Sequence, residues 1–167
     1  MEINTPYTFL SLGSNLGERI LFIEEAMKLI EEKIGTITAV SAYYENEPWG
    51  FESKNWFINN VVVLECLQTP EELLSIIQSI EQEIGKVFRK KGEPYQERII
   101  DIDIIFHRHY RLNTEELSIP HAKFAERKFV LMPLLDVLEF LNLTIEFQKM
   151  KSVLNVCKDD LEIKKML

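Results

Sequence analysis

The hydrophobic positions along the chain predict two amphipathic helices. In the first, expected from about residue 18 to residue 33, apolar residues recur three and four positions apart, and Gly35 is a natural C-terminal stop. The second helix is capped by Thr69, begins at Pro70 and ends before Gly85. The apolar stripes are Ile23, Ala26, Met27, Ile30 and Ile34 in the first helix, and Leu73, Leu74, Ile77, Ile80 and Ile84 in the second. Each helix therefore has one face that can be buried against a sheet.

Four β-rich runs surround these helices, at residues 7–12, 37–44, 56–67 and 98–105. The order is β-α-β-β-α-β, the split arrangement known as ferredoxin-like. It predicts an α+β fold with one antiparallel sheet, both helices on one side and the other face free to hold a site. The expected C-terminal extension consists of a hairpin (107–119), a helix (129–138) and then a strand and a helix. We expect residues 1–167 to form a single domain.

Composition and charge narrow the class of protein. Of the 167 residues, 46% are hydrophobic and 28% are charged, as in ordinary soluble proteins, and the net charge of −8 argues against non-specific nucleic-acid binding. Neither a signal peptide nor a run of about 20 apolar residues is visible. Cys66 and Cys157 are far apart in sequence, which indicates no disulfide framework or zinc cluster. We expect a cytoplasmic monomer whose partners are small molecules, not nucleic acids or membranes.

The strand over residues 98–105 carries the strongest chemical signal. Isoleucines alternate with Asp101 and Asp103, so the two carboxylates share one strand face, about 6.5 Å apart. Such a pair suits Mg²⁺, which prefers one or two carboxylates together with substrate phosphates. Arg98 adds a positive charge nearby. The pattern indicates metal-assisted phosphoryl chemistry, although an Asp-x-Asp pair on an antiparallel strand can also simply face solvent.

A basic loop precedes this strand. Residues 86–98 contain five basic side chains: Lys86, Arg89, Lys90, Lys91 and Arg98. Beside a carboxylate pair, such a loop suits a polyphosphate held between metal and cations, and we expect it to close over bound ATP and exclude water. Taken alone, it could be a solvated charged loop. There is no Walker A motif, so ATP would have to be bound without a P-loop.

Several aromatic and amide residues have two interpretations. Asn59 lies in an apolar strand, where it must either satisfy backbone groups or recognise a polar ligand. Three aromatic residues are either core residues or platforms for a flat heterocycle: Trp49, Phe57 and Phe129. In the turn after the first strand, we expect Ser14 or Asn15 to cap the first helix.

The remaining polar candidates lie on the second helix and near the predicted hairpin. Gln78 and Glu81 are three positions apart, which favours a solvated helix face. His107 and His109 are expected at the surface. His121 follows Pro120 and is either a phosphate contact or a structural residue.

Several motifs occur in an order typical of one enzyme family. They are Leu12-Gly13-Ser14-Asn15-Leu16-Gly17, Glu47-Pro48-Trp49-Gly50, Phe57-Ile58-Asn59-Asn60, Arg98-x-x-Asp101-x-Asp103, Ile119-Pro120-His121 and Arg127-Lys128-Phe129-Val130. With them the chain resembles the 6-hydroxymethyl-7,8-dihydropterin pyrophosphokinase family, over roughly residues 7–138. The resemblance implies transfer of the pyrophosphoryl group of ATP to the primary alcohol of the reduced pterin, with release of AMP, in folate biosynthesis.

The resemblance also implies roles for individual residues. Asp101 and Asp103 would hold two Mg²⁺ ions, and Asp103 is in addition a candidate base for the substrate hydroxyl. The residues implied in catalysis are Lys86, Arg98, Asp101 and Asp103. Those implied in ATP binding are Gln78, Glu81, Lys86, Arg89, Arg98, His121 and Arg127. Those implied in pterin binding are Asn46, Trp49, Phe57, Asn59 and Phe129.

The chain departs from the family pattern in the basic loop. The usual Gly-Arg-x-Arg reads Gly85-Lys86-Val87-Phe88-Arg89, so it stays open which of Arg89, Lys90 and Lys91 replaces the second arginine. Glu116 stands where a basic residue is expected near the nucleotide.

Two other functions stay open. One is a non-catalytic ferredoxin-like domain that binds a small ligand or metal. The other is a two-metal nuclease or another phosphotransferase, which the aromatic residues around Asn59 and the negative net charge disfavour.

Overall fold

The computed structural model describes residues 5–85 and 98–166. The strands are β1 (Thr8–Ser14), β2 (Ile37–Val40), β3 (Tyr44–Asn46), β4 (Phe57–Leu64), β5 (Asp101–His107), β6 (Leu112–Asn113), β7 (Ser118–Ile119) and β8 (Ile163–Lys165). The helices are α1 (Arg19–Lys33), α2 (Pro70–Ile84), α3 (Lys128–Phe140) and α4 (Thr144–Val156), with a short 3-10 helix at Phe124–Glu126. The predicted α+β fold is confirmed.

The main sheet is antiparallel, with strand order β5-β1-β4-β3-β8, and β2 pairs with the other half of β4. The strand predicted over residues 37–44 is therefore two strands on one edge of β4. The break has a local cause at Ser41, because the hydroxyl of Ser41, not a backbone carbonyl, accepts the hydrogen bond from the Val61 N–H, at 2.9 Å. Together, β2 and β3 occupy the position of one strand in the predicted β-α-β-β-α-β order.

Helices α1 and α2 pack on one face of the sheet, as predicted. The residues of β1 and β5 that point toward them are apolar and buried: Leu10, Leu12, Ile102 and Ile104. At the start of α2, Thr69 and Glu72 form a capping box in which each side chain accepts a hydrogen bond from the other's backbone N–H. The sequence prediction of this helix start is confirmed.

The other face of the sheet is only partly free, which corrects the expectation of an open face. Helix α3 covers the half that carries Phe9, Val61 and Val63, and α4 packs against α3. Buried apolar residues of α3 make this contact: Val130, Leu131, Leu134, Val137 and Leu138. The uncovered half lies on the same strands, β1, β4 and β5, two to four residues along each strand from the covered residues.

The C-terminal extension differs from the prediction in its order. The hairpin is present as β6 and β7, and a helix follows at α3. Next comes the helix α4 and then the strand β8, whereas the sequence pattern suggested a strand followed by a helix. No helix in the described part of the chain is long and apolar enough to cross a membrane.

His107 is buried, so its predicted surface position is wrong, whereas His109 is exposed as predicted. The Nε2 of His107 lies 2.9 Å from the carbonyl oxygen of Gln68, and the Nδ1 of His107 lies 2.7 Å from the hydroxyl of Thr8. Because a carbonyl only accepts, Nε2 carries the proton and Nδ1 accepts from Thr8. Two hydrogen bonds satisfy the ring, which is why a polar residue is tolerated at the end of a buried strand.

Candidate active site

A pocket lies on the half of the sheet face that α3 leaves uncovered. It holds about 510 Å³ of empty space, the part open to solvent included. It brings together charged, amide and aromatic side chains from distant parts of the chain: Ser11, Gly13, Asn46, Trp49, Phe51, Phe57, Asn59, Arg98, Asp101, Asp103, Arg127 and Phe129. All five residues implied in pterin binding line this pocket, together with both aspartates.

Asp101 and Asp103 extend from the same face of β5 into the pocket. They pair in the sheet with Gly13 and Ser11 of β1, whose small side chains leave the carboxylates uncovered. Arg98 makes an ion pair with Asp101, and the Nη1 of Arg127 lies 3.3 Å from the Oδ2 of Asp103. Each carboxylate therefore has its own arginine and remains partly exposed, at 25% and 32% of the side-chain surface.

Arg98 is fixed through its backbone by Asn15. The Asn15 backbone N–H donates to the carbonyl of Arg98 at 3.0 Å, and the Arg98 N–H donates to the Asn15 side-chain oxygen at 2.6 Å. This corrects the expectation that Ser14 or Asn15 caps α1, because the N-cap position is Glu18 and no side-chain cap hydrogen bond forms there. Asn15 instead holds Arg98, three residues before β5 begins.

The electrostatics around Arg98 favour its charged form. Burial opposes the charge, but the carboxylates of Asp101 and Asp103 and the hydrogen bond to Asp101 outweigh that effect and raise the pKa of Arg98. Its side chain is only 10% exposed. A fixed cation beside two carboxylates is therefore built into the pocket wall.

Glu81 is buried, unlike the solvated position that its spacing on the helix favoured. Its Oε1 accepts a hydrogen bond from the Ile102 N–H at 2.8 Å. Ile102 lies between the two aspartates, so this bond ties α2 to the strand that presents them. Gln78, three residues earlier on α2, is exposed and does not line the pocket.

Asn59 and Asn46 form the polar edge of the pocket. The Nδ2 of Asn59 donates to the Oδ1 of Asn46 at 2.6 Å, and the Nδ2 of Asn46 donates to the Glu47 carbonyl at 2.7 Å. Both side chains are buried. The chain of hydrogen bonds fixes the orientation of the Asn59 amide, with its oxygen over Gly13.

Arg127 connects the aromatic part of the pocket with the carboxylates. Its guanidinium lies 4.7 Å from the centre of the Trp49 ring and 5.6 Å from that of Phe129, while it contacts Asp103. Only 5% of Arg127 is exposed. At these distances the guanidinium makes cation–π contacts with both rings.

A second depression adjoins the first and shares Asp103 with it. His121 and Glu116 are among its lining residues. The Nε2 of His121 lies 3.8 Å from the Oδ2 of Asp103. Burial lowers the pKa of His121, the Asp103 charge partly opposes this shift, and Arg127 reinforces it. His121 is therefore disposed to be neutral near pH 7.

Four residues of the site were missed by the sequence interpretation: Ser11, Gly13, Asn15 and Phe51. Ser11 and Gly13 could have been found, because they alternate with buried leucines on β1 and so share the face of the aspartates. Two implied residues, Lys86 and Arg89, lie outside the described residues, as does the loop expected to close over ATP.

The donor set fits a magnesium ion that also binds phosphate. Among the described residues, no group of three or more His, Cys, Asp or Glu side chains could hold a metal ion. Mg²⁺ uses one or two carboxylates and completes its shell with water and phosphate oxygens, so Asp101 and Asp103 match that requirement. The arginines at their sides could contact the same phosphates.

Comparison with known proteins agrees with this geometry. A model of the family described as 7,8-dihydro-6-hydroxymethylpterin-pyrophosphokinase matches residues 9–139. A Porphyromonas gingivalis protein named 2-amino-4-hydroxy-6-hydroxymethyldihydropteridine pyrophosphokinase is 42% identical over 135 residues, which cover 80% of this chain and 92% of that protein. A Bacillus subtilis protein of the same name is 35% identical over 130 residues, 77% of this chain and 76% of that protein.

Solved structures support the fold. The wild-type HPPK-DHPS of Plasmodium falciparum aligns with a TM-score of 0.60 and 19% identity, over 81% of this chain. The chain spans about two fifths of that protein, 41% of its length. Both the matched family model and the identity to the bacterial relatives show that the chain belongs to the 7,8-dihydro-6-hydroxymethylpterin-pyrophosphokinase family, as its sequence predicts.

Proposed function

We propose that this site transfers the pyrophosphoryl group of ATP to the hydroxymethyl group of 6-hydroxymethyl-7,8-dihydropterin and releases AMP, a step of folate biosynthesis. One observation carries the proposal. A single pocket joins an aromatic and amide wall, suited to a flat hydrogen-bonding bicycle, to a carboxylate pair flanked by arginines. A site for an alcohol acceptor next to a site for a metal-bound polyphosphate is what the reaction requires.

The pterin would lie against the aromatic wall. Phe57 and Phe129 would stack on its two faces, and Trp49 would close the side beyond Arg127. Asn59 would read the amide edge of the pterin, because its own amide is already oriented by Asn46. The prior hydrogen bond reduces the entropy lost when the ligand binds.

Asp101 and Asp103 would hold Mg²⁺, which supplies charge neutralisation at the phosphate oxygens when bound. The pterin hydroxyl oxygen forms a bond to the β-phosphorus, the bond from that phosphorus to the oxygen of the α-phosphate breaks, and AMP leaves. Asp103 is the candidate acceptor of the hydroxyl proton. Arg98 would stabilise the negative charge that develops on the transferred group, because it is held next to Asp101.

The remaining implied residues belong to the nucleotide side of the proposal. His121 and Arg127 flank Asp103, where they could contact phosphate oxygens. Glu81 would act on the nucleotide side by holding β5 in place through Ile102. Contacts from Gln78, Lys86 and Arg89 to ATP stay predictions from the sequence.

The test is an analysis of adenine nucleotides after incubation with Mg²⁺, ATP and the reduced pterin. The proposal requires one AMP for each diphosphorylated pterin formed, and loss of AMP in an Asp103→Asn variant that still folds. Formation of ADP would indicate an ordinary kinase. No nucleotide turnover by the folded protein, with pterin still bound, would indicate a binding domain.

Three further expectations stay predictions from the sequence: the single domain, the monomeric state and the cytoplasmic location. Sedimentation of the purified protein would test the monomer, and any dimer at micromolar concentration would contradict it.

A further inference from the structure

The segment at residues 157–166 lies outside the residues that match the family, 9–139, yet it contacts elements that line the pocket. Its strand β8 pairs with β3, the strand that carries Asn46. Just before β8, the Glu162 carbonyl accepts from the Glu47 N–H at 3.2 Å, and the Glu162 N–H donates to the Glu47 carboxylate at 2.9 Å. The segment therefore holds the strand that bears the polar edge of the pocket.

The same segment completes the N-terminus of α3. Within the described residues, the first turn of this helix contains no acidic side chain, and the N-cap residue Arg127 makes no side-chain cap hydrogen bond. Asp159 provides the missing acceptor, because its Oδ2 accepts from the Lys128 N–H at 2.9 Å. Its other oxygen accepts from the Leu161 N–H at 3.2 Å, which fixes the carboxylate. A carboxylate here also complements the positive end of the helix dipole.

The residue that Asp159 binds is flanked by two residues of the pocket. Arg127 precedes Lys128 and Phe129 follows it, and both line the pocket. Their side chains lie close together, with the Arg127 guanidinium 5.6 Å from the Phe129 ring centre. A shift of the first turn of α3 would move both side chains together.

We propose that Asp159 is a positioning residue of the pterin site, which acts by fixing the first turn of α3 and with it Arg127 and Phe129. On this basis the C-terminal segment supports the wall of the substrate pocket and does not only cover the core. The inference rests on the proposed function in one respect, namely that the pterin lies against Phe129.

The experiment measures binding of 6-hydroxymethylpterin by calorimetry, with Mg²⁺ and α,β-methylene-ATP present. The methylene group replaces the oxygen whose bond would break, so no transfer occurs. Asp159→Ala should raise the Kd of the pterin about five-fold, which corresponds to roughly 1 kcal/mol. The Kd of the nucleotide analogue should rise less than that of the pterin, because the first turn of α3 and its N-cap contribute only Arg127 to the proposed nucleotide side. Asp159→Asn, which keeps an oxygen acceptor, should restore most of the pterin affinity.

The matched control is Asp160→Ala, because Asp160 is an exposed aspartate next in sequence. It should bind both ligands like the wild-type protein. If Asp159→Ala does not fold, Asp159→Glu takes its place, since it keeps the charge but displaces the carboxylate by one methylene.

Three outcomes would overturn the inference. These are equal pterin affinity in Asp159→Ala and Asp160→Ala, parallel loss of pterin and nucleotide affinity with a lower melting temperature, and no recovery in Asp159→Asn. A wild-type protein that does not bind the pterin would instead refute the proposed function, so the two failures are distinguishable.

Discussion

A single methyl group added at Gly13 should disrupt pterin recognition. Gly13 lies in β1, where its extended backbone suits alanine as well as glycine. A Cβ atom at this position would, however, lie closer than 3.0 Å to the Oδ1 of Asn59, a distance shorter than Cβ atoms show in real structures. Asn59 must therefore move away in Gly13→Ala, which breaks its 2.6 Å hydrogen bond to Asn46.

The size of the effect follows from what the displacement removes. Misplacing a buried amide that recognises a polar ligand leaves donors and acceptors unsatisfied, at a cost of roughly 1–3 kcal/mol. The Kd of the pterin should accordingly rise about 5- to 150-fold. The nucleotide affinity should not change, because Asn59 does not line the depression that contains His121.

A double-mutant cycle separates the clash from other effects of the substitution. Once Asn59→Ala has removed the amide, the nearest remaining atom to the new Cβ is the Cδ1 of Phe57, at 3.8 Å, which is an ordinary contact. Gly13→Ala should therefore weaken pterin binding in the wild-type background and have almost no effect in the Asn59→Ala background. Titration calorimetry of the four proteins gives the coupling energy directly.

The reasoning would be refuted if the two substitutions were additive. Equal losses caused by Gly13→Ala in both backgrounds would mean that the methyl group blocks the ligand itself or distorts β1. Unchanged affinity in Gly13→Ala alone would show that the Asn59 amide is not needed where it lies.

Two further predictions concern buried charge and protonation. Arg98→Ala should lower kcat about 10²- to 10³-fold while KM for either substrate changes much less, because the guanidinium acts where negative charge develops. Unchanged turnover in this variant would exclude a catalytic role for Arg98. The variant Arg98→Lys shows what the positive charge alone contributes to kcat. Burial lowers the pKa of His107 from its ordinary 6.5, against the opposing hydrogen bond to Gln68. The unfolded chain therefore binds the proton more readily, so the stability from neutral His107 is complete above about pH 6.5 and is lost as the pH falls through the folded-state pKa. His107→Gln should flatten the decline in melting temperature between about pH 7 and pH 5, whereas the exposed His109→Gln should not.

Much of the fold could be predicted because local patterns and long-range packing agree. Both helices on the first face have apolar stripes of the right period, and α2 carries a complete capping box. The alternation of isoleucine and aspartate likewise placed both carboxylates on one face of β5, where the structure has them. In each case, the residues that decide the conformation are neighbours in sequence.

The errors arose where the deciding contact is distant in sequence. The sequence predicts His107 at the surface because its partners, Thr8 and the carbonyl of Gln68, are distant from it in the chain. The spacing along α2 predicts a solvated Glu81, since it does not show that the backbone group bound by Glu81 lies in β5. The order of α4 and β8 at the C-terminal end is also not predictable from local patterns, since the short strand β8 is defined by its pairing with β3. Periodicity shows which face of an element is apolar, but it does not show what satisfies a buried polar group.

The placement of the site follows from how one sheet face is divided. On β4, Asn59 and Val61 point to the same face, yet Asn59 lines the pocket and Val61 packs under α3. The same division occurs on β1 between Gly13 and Phe9. The strands that present the recognition groups are thus held by the core that α3 builds on their far ends. Since Arg127 is the N-cap of α3 and Phe129 lies in its first turn, the helix that closes the core also forms part of the pocket wall, and its first turn depends on Asp159. Loss of the Asp159 contact should therefore alter substrate affinity before it alters the fold, because it leaves the buried core residues of α3, from Val130 to Leu138, unchanged.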